Sequence, residues 1–289
     1  MHTYLDCVPC FARQALDAAR LVTSDEKIHE EVLRQILVHV AQMDLSQPPP
    51  AMAREIHEAI RKITGVKDPY AKIKKQSNEF ALSLYPELKN IVRSSKNPFT
   101  TAVRLAIAGN IIDFGVHSAK AEFDEKQVRD SIANSLKSEI NESAVGDLND
   151  EVKRASSILY LADNAGEIVF DRVLMEEMPL GKITVAVKEH PIINDATIED
   201  AKAAGITNMV RVVGNGSDAP GTILNLCSAE FLKAFDTAGL IIAKGQGNYE
   251  TLSSVRRNIF FLFKAKCPVI SRHLGVEIGN MVISRNREK

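Results

Sequence analysis

The chain contains no tryptophan, few aromatic residues (6%) and only four cysteines among 289 residues. Four thiols spread over so long a chain exclude a disulfide-stapled scaffold, a class built on small cysteine-dense domains. No apolar run reaches the ~20 residues that a bilayer-spanning helix needs. The opening stretch, MHTYLDCVPC, lacks the charged-then-apolar order of a secretory signal. Neither sign of charge is in excess, with 36 Lys plus Arg against 37 Asp plus Glu. A general nucleic-acid binder carries a basic surplus, so that class is excluded. A cytoplasmic protein without a membrane or nucleic-acid partner is expected.

The remaining composition is that of an ordinary globular chain, 45% hydrophobic and 25% charged. Its length accommodates one large domain, alone or with a smaller companion. Up to about residue 95 the pattern is helical. Phe11, Ala15, Ala18, Ala19 and Val22 form one apolar stripe; Ile28, Val32, Ile36, Leu37 and Val40 form another. Pro48-Pro49-Pro50 reads as a loop. Ile56, Ile60 and Ile63 give a helix closed by Gly65, and a further helix follows Asp68-Pro69-Tyr70 up to Leu84. Pro86 and Pro98 bracket a short piece. A mostly apolar helix begins near Thr100 and carries Asn110 and Asp113 on one face, three residues apart.

From residue 156 onward, strands and helices alternate. Strands are expected at Ile158 to Ala162, Ile183 to Val187, Met209 to Val213, Leu240 to Ala243, Ile259 to Phe263 and Met281 to Ile283. Helices are expected at 166–178, 197–204 and 221–236. This order predicts a Rossmann-like α/β fold, a mostly parallel sheet with helices on both faces. An α/β domain over 96–289 would then follow an N-terminal helical domain over 1–95.

Four strand ends carry the chemistry. The first strand runs directly into Asp163 and Asn164, at the sheet edge where open α/β folds bind ligands and beside a helix N-terminus that favours anions. The same two residues are also good helix caps, and this stretch alone does not decide between the roles. The second loop contains Asn194-Asp195-Ala196-Thr197. Thr197 with Asp200 fits a capping box, which leaves Asp195 for another task. Asp163, Asn164 and Asp195 together make a hard, all-oxygen donor set suited to Mg²⁺, Mn²⁺ or a related divalent ion.

The third loop, Gly214-Asn215-Gly216-Ser217-Asp218-Ala219-Pro220-Gly221, matches neither the P-loop nor the dinucleotide fingerprint. Its glycines allow backbone N–H groups to cradle an anion, with Gly216, Ser217 and Asp218 as candidate substrate contacts; Asn-Gly is equally a plain turn signal. The fourth strand ends in Lys244, a candidate phosphate contact, followed by a glycine-rich turn with Asn248. Near the N-terminus Cys7 and Cys10 form an isolated CxxC. The pair reads as half a zinc site, a redox dithiol or two small buried residues, with Cys227 and Cys267 far away in sequence.

DNAGEIVFD, NDAT, GNGSDAPGT, AKGQGNYETL, AIAGNIIDFG and DPYAKIKKQSN, six motifs in the right order along nearly the whole chain, resemble those of the damage-control phosphatases. Cys7-Val8-Pro9-Cys10 resembles the CxxC of that family's subfamily I. The resemblance implies a metal-dependent phosphatase, a hydrolase acting on phosphomonoesters of small metabolites, including damaged ones such as abnormal nucleotides or sugar phosphates. It implies Mn²⁺ or Ni²⁺, with Mg²⁺ or Co²⁺ as alternatives, held by Asp163, Asn164 and Asp195. It also implies a phosphate-binding Lys244 and a site lined by Asn110 and Asp113, with Glu167 among the substrate-binding residues. The nucleophile is either a water or Asp163 itself. Two other functions remain in view: an S-adenosylmethionine-dependent carboxyl methyltransferase, and a metal- or redox-sensing regulator on the same fold.

Overall fold

The computed structural model describes residues 1–110 and 125–286. Five helices come first: α1 (Cys7–Val22), α2 (Glu26–Gln42), α3 (Pro49–Thr64), α4 (Ala71–Ser94) and α5 (Pro98–Ala108). Two more, α6 (Glu125–Lys137) and α7 (Glu142–Arg154), lead into the sheet. There β1 (Ile158–Leu161), α8 (Glu167–Met175), β2 (Ile183–Val187), α9 (Ile198–Ala203) and β3 (Arg211–Gly214) alternate. The chain ends with α10 (Ala229–Thr237), β4 (Leu240–Lys244), α11 (Gln246–Leu252), β5 (Ile259–Lys264), α12 (Pro268–Leu274) and β6 (Met281–Asn286).

The strands lie in the order β3-β2-β1-β4-β5-β6. All neighbours are parallel except the last pair, where β6 returns antiparallel along β5. Strand order reverses between β1 and β4, which creates the crevice where ligands bind in such sheets. Alternation along each strand feeds two cores. Ile158, Tyr160, Val185, Ile242 and Phe260 face one core, shared with α4, α5 and α8. Leu159, Leu161, Ile241, Phe261 and Phe263 face the other, shared with α10 and α12. Both faces are therefore dry, which is why these strands read as continuous apolar runs.

A third core joins α1, α2 and α3 through Phe11, Ala15, Ala18, Val32, Ile36, Ile56 and Ile60, and it ends at Tyr70. The region expected as a separate helical domain thus divides. Ala81, Leu84, Leu88 and Val92 of α4 belong to the core of the sheet.

Three local expectations are corrected. The proline triplet is no loop: Pro48 caps α3, and Pro49 and Pro50 occupy its first turn, where a missing N–H costs nothing. Pro86 does not end a helix; α4 runs through it, with the proline on the solvent side. The stretch expected as a helix from 221 begins only at Ala229. Gly221 sits at φ +63°, and Ser228 provides the cap, its side chain accepting from the Phe231 N–H at 3.2 Å.

Candidate active site

β1 delivers Asp163 and Asn164 to the switch point, and the second loop folds back over them. Asn164 and Asp195 pair as an antiparallel bridge. The Ala196 N–H donates to the Asp163 carbonyl at 2.7 Å, and the Ala165 N–H donates to the Asn194 carbonyl at 2.9 Å. The capping box is present, with Asp200 accepting from the Thr197 N–H at 2.8 Å. Asp195 is therefore not the cap, and it is buried beside Asn164.

Side chains behind these residues form one buried network. Asn164 Nδ2 donates to Asp163 Oδ2 at 2.8 Å and to Glu167 Oε2 at 2.9 Å. Asn110, at the end of α5, repeats the pattern with Nδ2 at 3.2 Å from Asp163 Oδ2 and 2.8 Å from Glu167 Oε2. Lys244, fully buried, donates to Glu167 Oε1 at 2.7 Å, Asp171 Oδ1 at 2.6 Å and the Ala106 carbonyl at 2.7 Å. Tyr160 OH donates to the same Asp171 oxygen at 2.8 Å.

Two expected roles are revised by this bonding. An ammonium has three donors, and all three of Lys244 are spent on protein acceptors, so none points to a phosphate. Glu167 Oε1 accepts from Lys244 and Oε2 from both amides, so Glu167 orients Asn110 and Asn164 in this network. Burial opposes charge on all three ionisable groups. The ammonium nonetheless holds Glu167 below its usual range, and the two carboxylates hold Lys244 above its own. Asp171, with less compensation, is pushed up to about 6 by burial.

The third and fourth loops are scaffolds for this edge. Asn215 Oδ1 accepts from the Ser217 N–H at 3.0 Å, and Ser217 Oγ from the Ala219 N–H at 3.1 Å. Gly216 adopts φ +80°, and a Cβ there would fall 2.6 Å from Ser228. Asp218 accepts from Arg54 Nε and, at 2.8 Å, from Arg61 Nη2, which ties the loop to α3. Asn248 donates to the Lys244 carbonyl at 2.7 Å and accepts from Thr222 Oγ1 at 2.7 Å. Ser217, Asp218 and Asn248 thus hold the loops together through their side chains. Asp113 lies outside the described residues.

Sequence reasoning missed Asp171, Tyr160, Lys188, Arg54 and Arg61. Asp171 stands four residues after Glu167 in a mostly apolar helix, a spacing that places two acids on one face. Lys188 directly follows β2 and Lys244 ends β4, and Arg54 and Arg61 share one face of α3.

A divalent cation fits what is present. Asp163 lies against Gly245, where a Cβ would fall 2.0 Å from Asp163 Oδ2, so the turn must be glycine for that carboxylate to sit there. Asn110 Oδ1 is buried without a partner. Asn164 spends its nitrogen on two carboxylates, which leaves its oxygen as the donor atom. Among the described residues no three His, Cys, Asp or Glu side chains form a metal-holding group; the expected set has two carboxylates and one amide.

The CxxC pair is elsewhere, at the start of α1. Cys7 is half-buried and Cys10 exposed, and both are free thiols. Burial, the largest cause, raises the pKa of each.

Fold and site together define an α/β protein with an oxygen-lined, anionic cluster at the switch point of its sheet. Residues 3–282 match the damage-control phosphatase ARMT1-like domain. A damage-control phosphatase of Pyrococcus horikoshii is 38% identical over 294 residues, covering all of both chains. One of Archaeoglobus fulgidus is 39% identical over 283 residues, covering 96% of each. A crystal structure of a Pyrococcus horikoshii DUF89 family protein superposes with a TM-score of 0.88 at 37% identity, covering 99% of this chain and 100% of that one. The chain belongs to the damage-control phosphatase ARMT1-like family. It is a phosphatase, and neither the methyltransferase nor the sensor alternative is favoured. Among the described residues no helix is long and apolar enough to cross a membrane.

Proposed function

We propose that the protein is a metal-dependent phosphomonoesterase of the CxxC branch, acting in the cytoplasm on small phosphorylated metabolites, abnormal nucleotides or sugar phosphates among them. The observation that carries this reading is the backbone pairing of Asn164 with Asp195, which brings two sequence-distant oxygen donors to the end of one strand. Asp163, Asn164 and Asp195 would hold the cation, with Mn²⁺ or Ni²⁺ favoured over Mg²⁺ or Co²⁺. A divalent cation there supplies Lewis acidity and a template for the phosphoryl group.

The chain's own residues do the rest. Glu167 and Lys244 fix the two asparagine amides, so the donor oxygens are set before substrate arrives and little reorganisation remains. Water is the nucleophile in this reading, because two amide donors already engage Asp163 Oδ2. Its oxygen bonds to phosphorus, the ester P–O bond breaks, one proton leaves the water and one arrives on the departing alcohol. That water would be held by the metal or, as the family resemblance implies, oriented by Asp113, which lies outside the described residues. Asp163→Asn keeps the shape but removes a ligand charge. Hydrolysis of para-nitrophenyl phosphate across a panel of divalent ions should fall at least about 100-fold. Undiminished metal-stimulated turnover would remove Asp163 from the site.

A further inference from the structure

Two lysines end adjacent regions of the same sheet edge, and their surroundings differ. Lys244 is enclosed, with Glu167, Asp171 and the Ala106 carbonyl taking its three N–H donors. Lys188 directly follows β2 and is only 3% exposed. Its backbone N–H donates to the Ala196 carbonyl at 2.9 Å, one residue past Asp195. Its ammonium donates to the Gly221 carbonyl in the glycine-rich third loop. Its other charged neighbour, Asp195 Oδ2, is 3.5 Å away, outside the usual range for a hydrogen bond. Among the described residues Lys188 has no third acceptor. A buried ammonium already paired with one carboxylate and with donor capacity left over can take a further acceptor, and at the sheet edge where ligands bind an anionic oxygen suits it.

Its position indicates which anion. Asn215 donates its backbone N–H to the Val187 carbonyl at 2.9 Å, and the Glu189 N–H donates to Asn215 Oδ1 at 3.3 Å, so the third loop is fixed around the end of β2. Lys188 therefore stands between Asp195 and the loop Gly214–Gly221. We propose that Lys188, and not Lys244, is the cation that contacts the phosphoryl oxygens of substrate and product, while Lys244 positions Glu167. The assignment deepens the phosphatase reading and rests on it for the identity of the anion. The same strand-end signal drew attention to Lys244 in the sequence; bonding separates the two lysines.

The test uses the full chain and inorganic phosphate as the probe. Lys188→Gln keeps a donor for the Gly221 carbonyl and removes the charge; Lys188→Arg keeps the charge. Orthophosphate affinity of the metal-loaded protein is measured by calorimetry, together with KM and kcat for para-nitrophenyl phosphate. Lys188→Gln should weaken orthophosphate binding about 10- to 100-fold and raise KM in parallel, the loss typical of one charge-assisted hydrogen bond. Lys188→Arg should recover at least part of the phosphate affinity, with melting temperatures close to wild type in both. Unchanged orthophosphate affinity in Lys188→Gln, or wild-type protein that binds no orthophosphate, overturns the assignment. Should Lys188→Gln fail to fold, Lys188→Met, which keeps the aliphatic stem and removes the charge, decides: orthophosphate binding weakened about 10- to 100-fold with KM raised in parallel supports a direct contact, and unchanged affinity overturns it. Wild type that binds orthophosphate but hydrolyses no phosphomonoester would instead sink the phosphatase reading and leave the anion contact standing.

Discussion

Lys244 is where charge and burial conflict most directly. Its side chain and those of Glu167 and Asp171 are essentially without solvent contact. Each ion alone would cost several kcal/mol to bury, and the cluster is tolerable because one ammonium serves two carboxylates in close geometry. Lys244→Met should remove about 3–5 kcal/mol from the urea unfolding free energy, the usual result of stranding buried charges. A loss under 1 kcal/mol would mean that the acids are neutral in the folded protein. Glu250 shows the same physics through pH. Burial, only partly offset by the hydrogen bond from Gln246, pushes its carboxyl up to about 7 from 4.5. Between those values the unfolded chain has ionised Glu250 while the folded one keeps the proton, so stability falls as pH rises through that window and levels off above about 7. His57 works in the opposite direction. Burial, with Arg61 adding to it, lowers its pKa from 6.5 to about 3, so stability is lost as pH falls below 6.5. The wild-type profile mixes both, and the difference between wild type and Glu250→Gln isolates one. That difference should shift in favour of Glu250→Gln by on the order of 3 kcal/mol between pH 4.5 and 7, read from urea melts across pH. A flat difference would show that Glu250 titrates alike in both states.

Elements were legible where burial imposes a simple period. All six strands appear where they were expected, and the four inner ones, β1, β2, β4 and β5, stand on largely apolar runs because a sheet covered on both faces favours such runs. The Thr197–Asp200 capping box and the Gly65 stop were equally readable, since each depends on residues within four positions. What failed depended on context. A proline triplet can end one helix or begin the next, and Pro86 is tolerated because solvent can satisfy the carbonyl it strands. Pro86→Ala should therefore raise stability by about 1–2 kcal/mol, the helix-interior penalty of proline less the unfolded-state entropy that proline removes. The convergence of Asn164 and Asp195 at the end of β1 was visible from their positions after strands. The partners of Lys244 were not, because Ala106, Glu167 and Asp171 come from α5 and α8, and a sequence does not say which buried acid meets which buried base. The turn after β4 is the element most constrained by the site. Gly245 adopts φ +82°, and any Cβ would strike the Asp163 carboxylate. Gly245→Ala should cut turnover at least about 100-fold while the cooperative melt persists, since the collision displaces Asp163 and does not touch a core. Near-normal activity in that variant would show that Asp163 works from another position.

At the scale of the whole molecule, three cores meet around one sheet edge, and the α1–α3 core reaches the site chiefly through a polar clamp. Arg54 and Arg61, two turns apart on α3, both hold Asp218 in the third loop, and Ile193 of the second loop packs against the same helical core. Asp6 and Arg272 add a contact between the start of α1 and α12, near Cys7, Cys10 and Cys267. Burial raises the pKa of the Cys7 and Cys10 thiols, which makes both poorer nucleophiles at neutral pH. The Asp218 clamp is partly screened: its side chain is 21% exposed and those of Arg54 and Arg61 are 31% and 22%. Its removal should therefore cost less than a fully buried pair, about 1–2 kcal/mol after allowance for solvent. Asp218→Asn should show that loss unevenly. Amide exchange in α3 and in the loop 214–222 should accelerate, while β1 and β4 keep their protection, because local opening draws on the weakest interface first. KM should rise more than kcat falls, since the loop that surrounds the phosphoryl position loosens while Asp163, Asn164 and Glu167 stay bonded to one another. Unchanged exchange in α3 would assign the docking to apolar contacts such as Ile193 and leave Asp218 as a partner of the arginines without mechanical consequence.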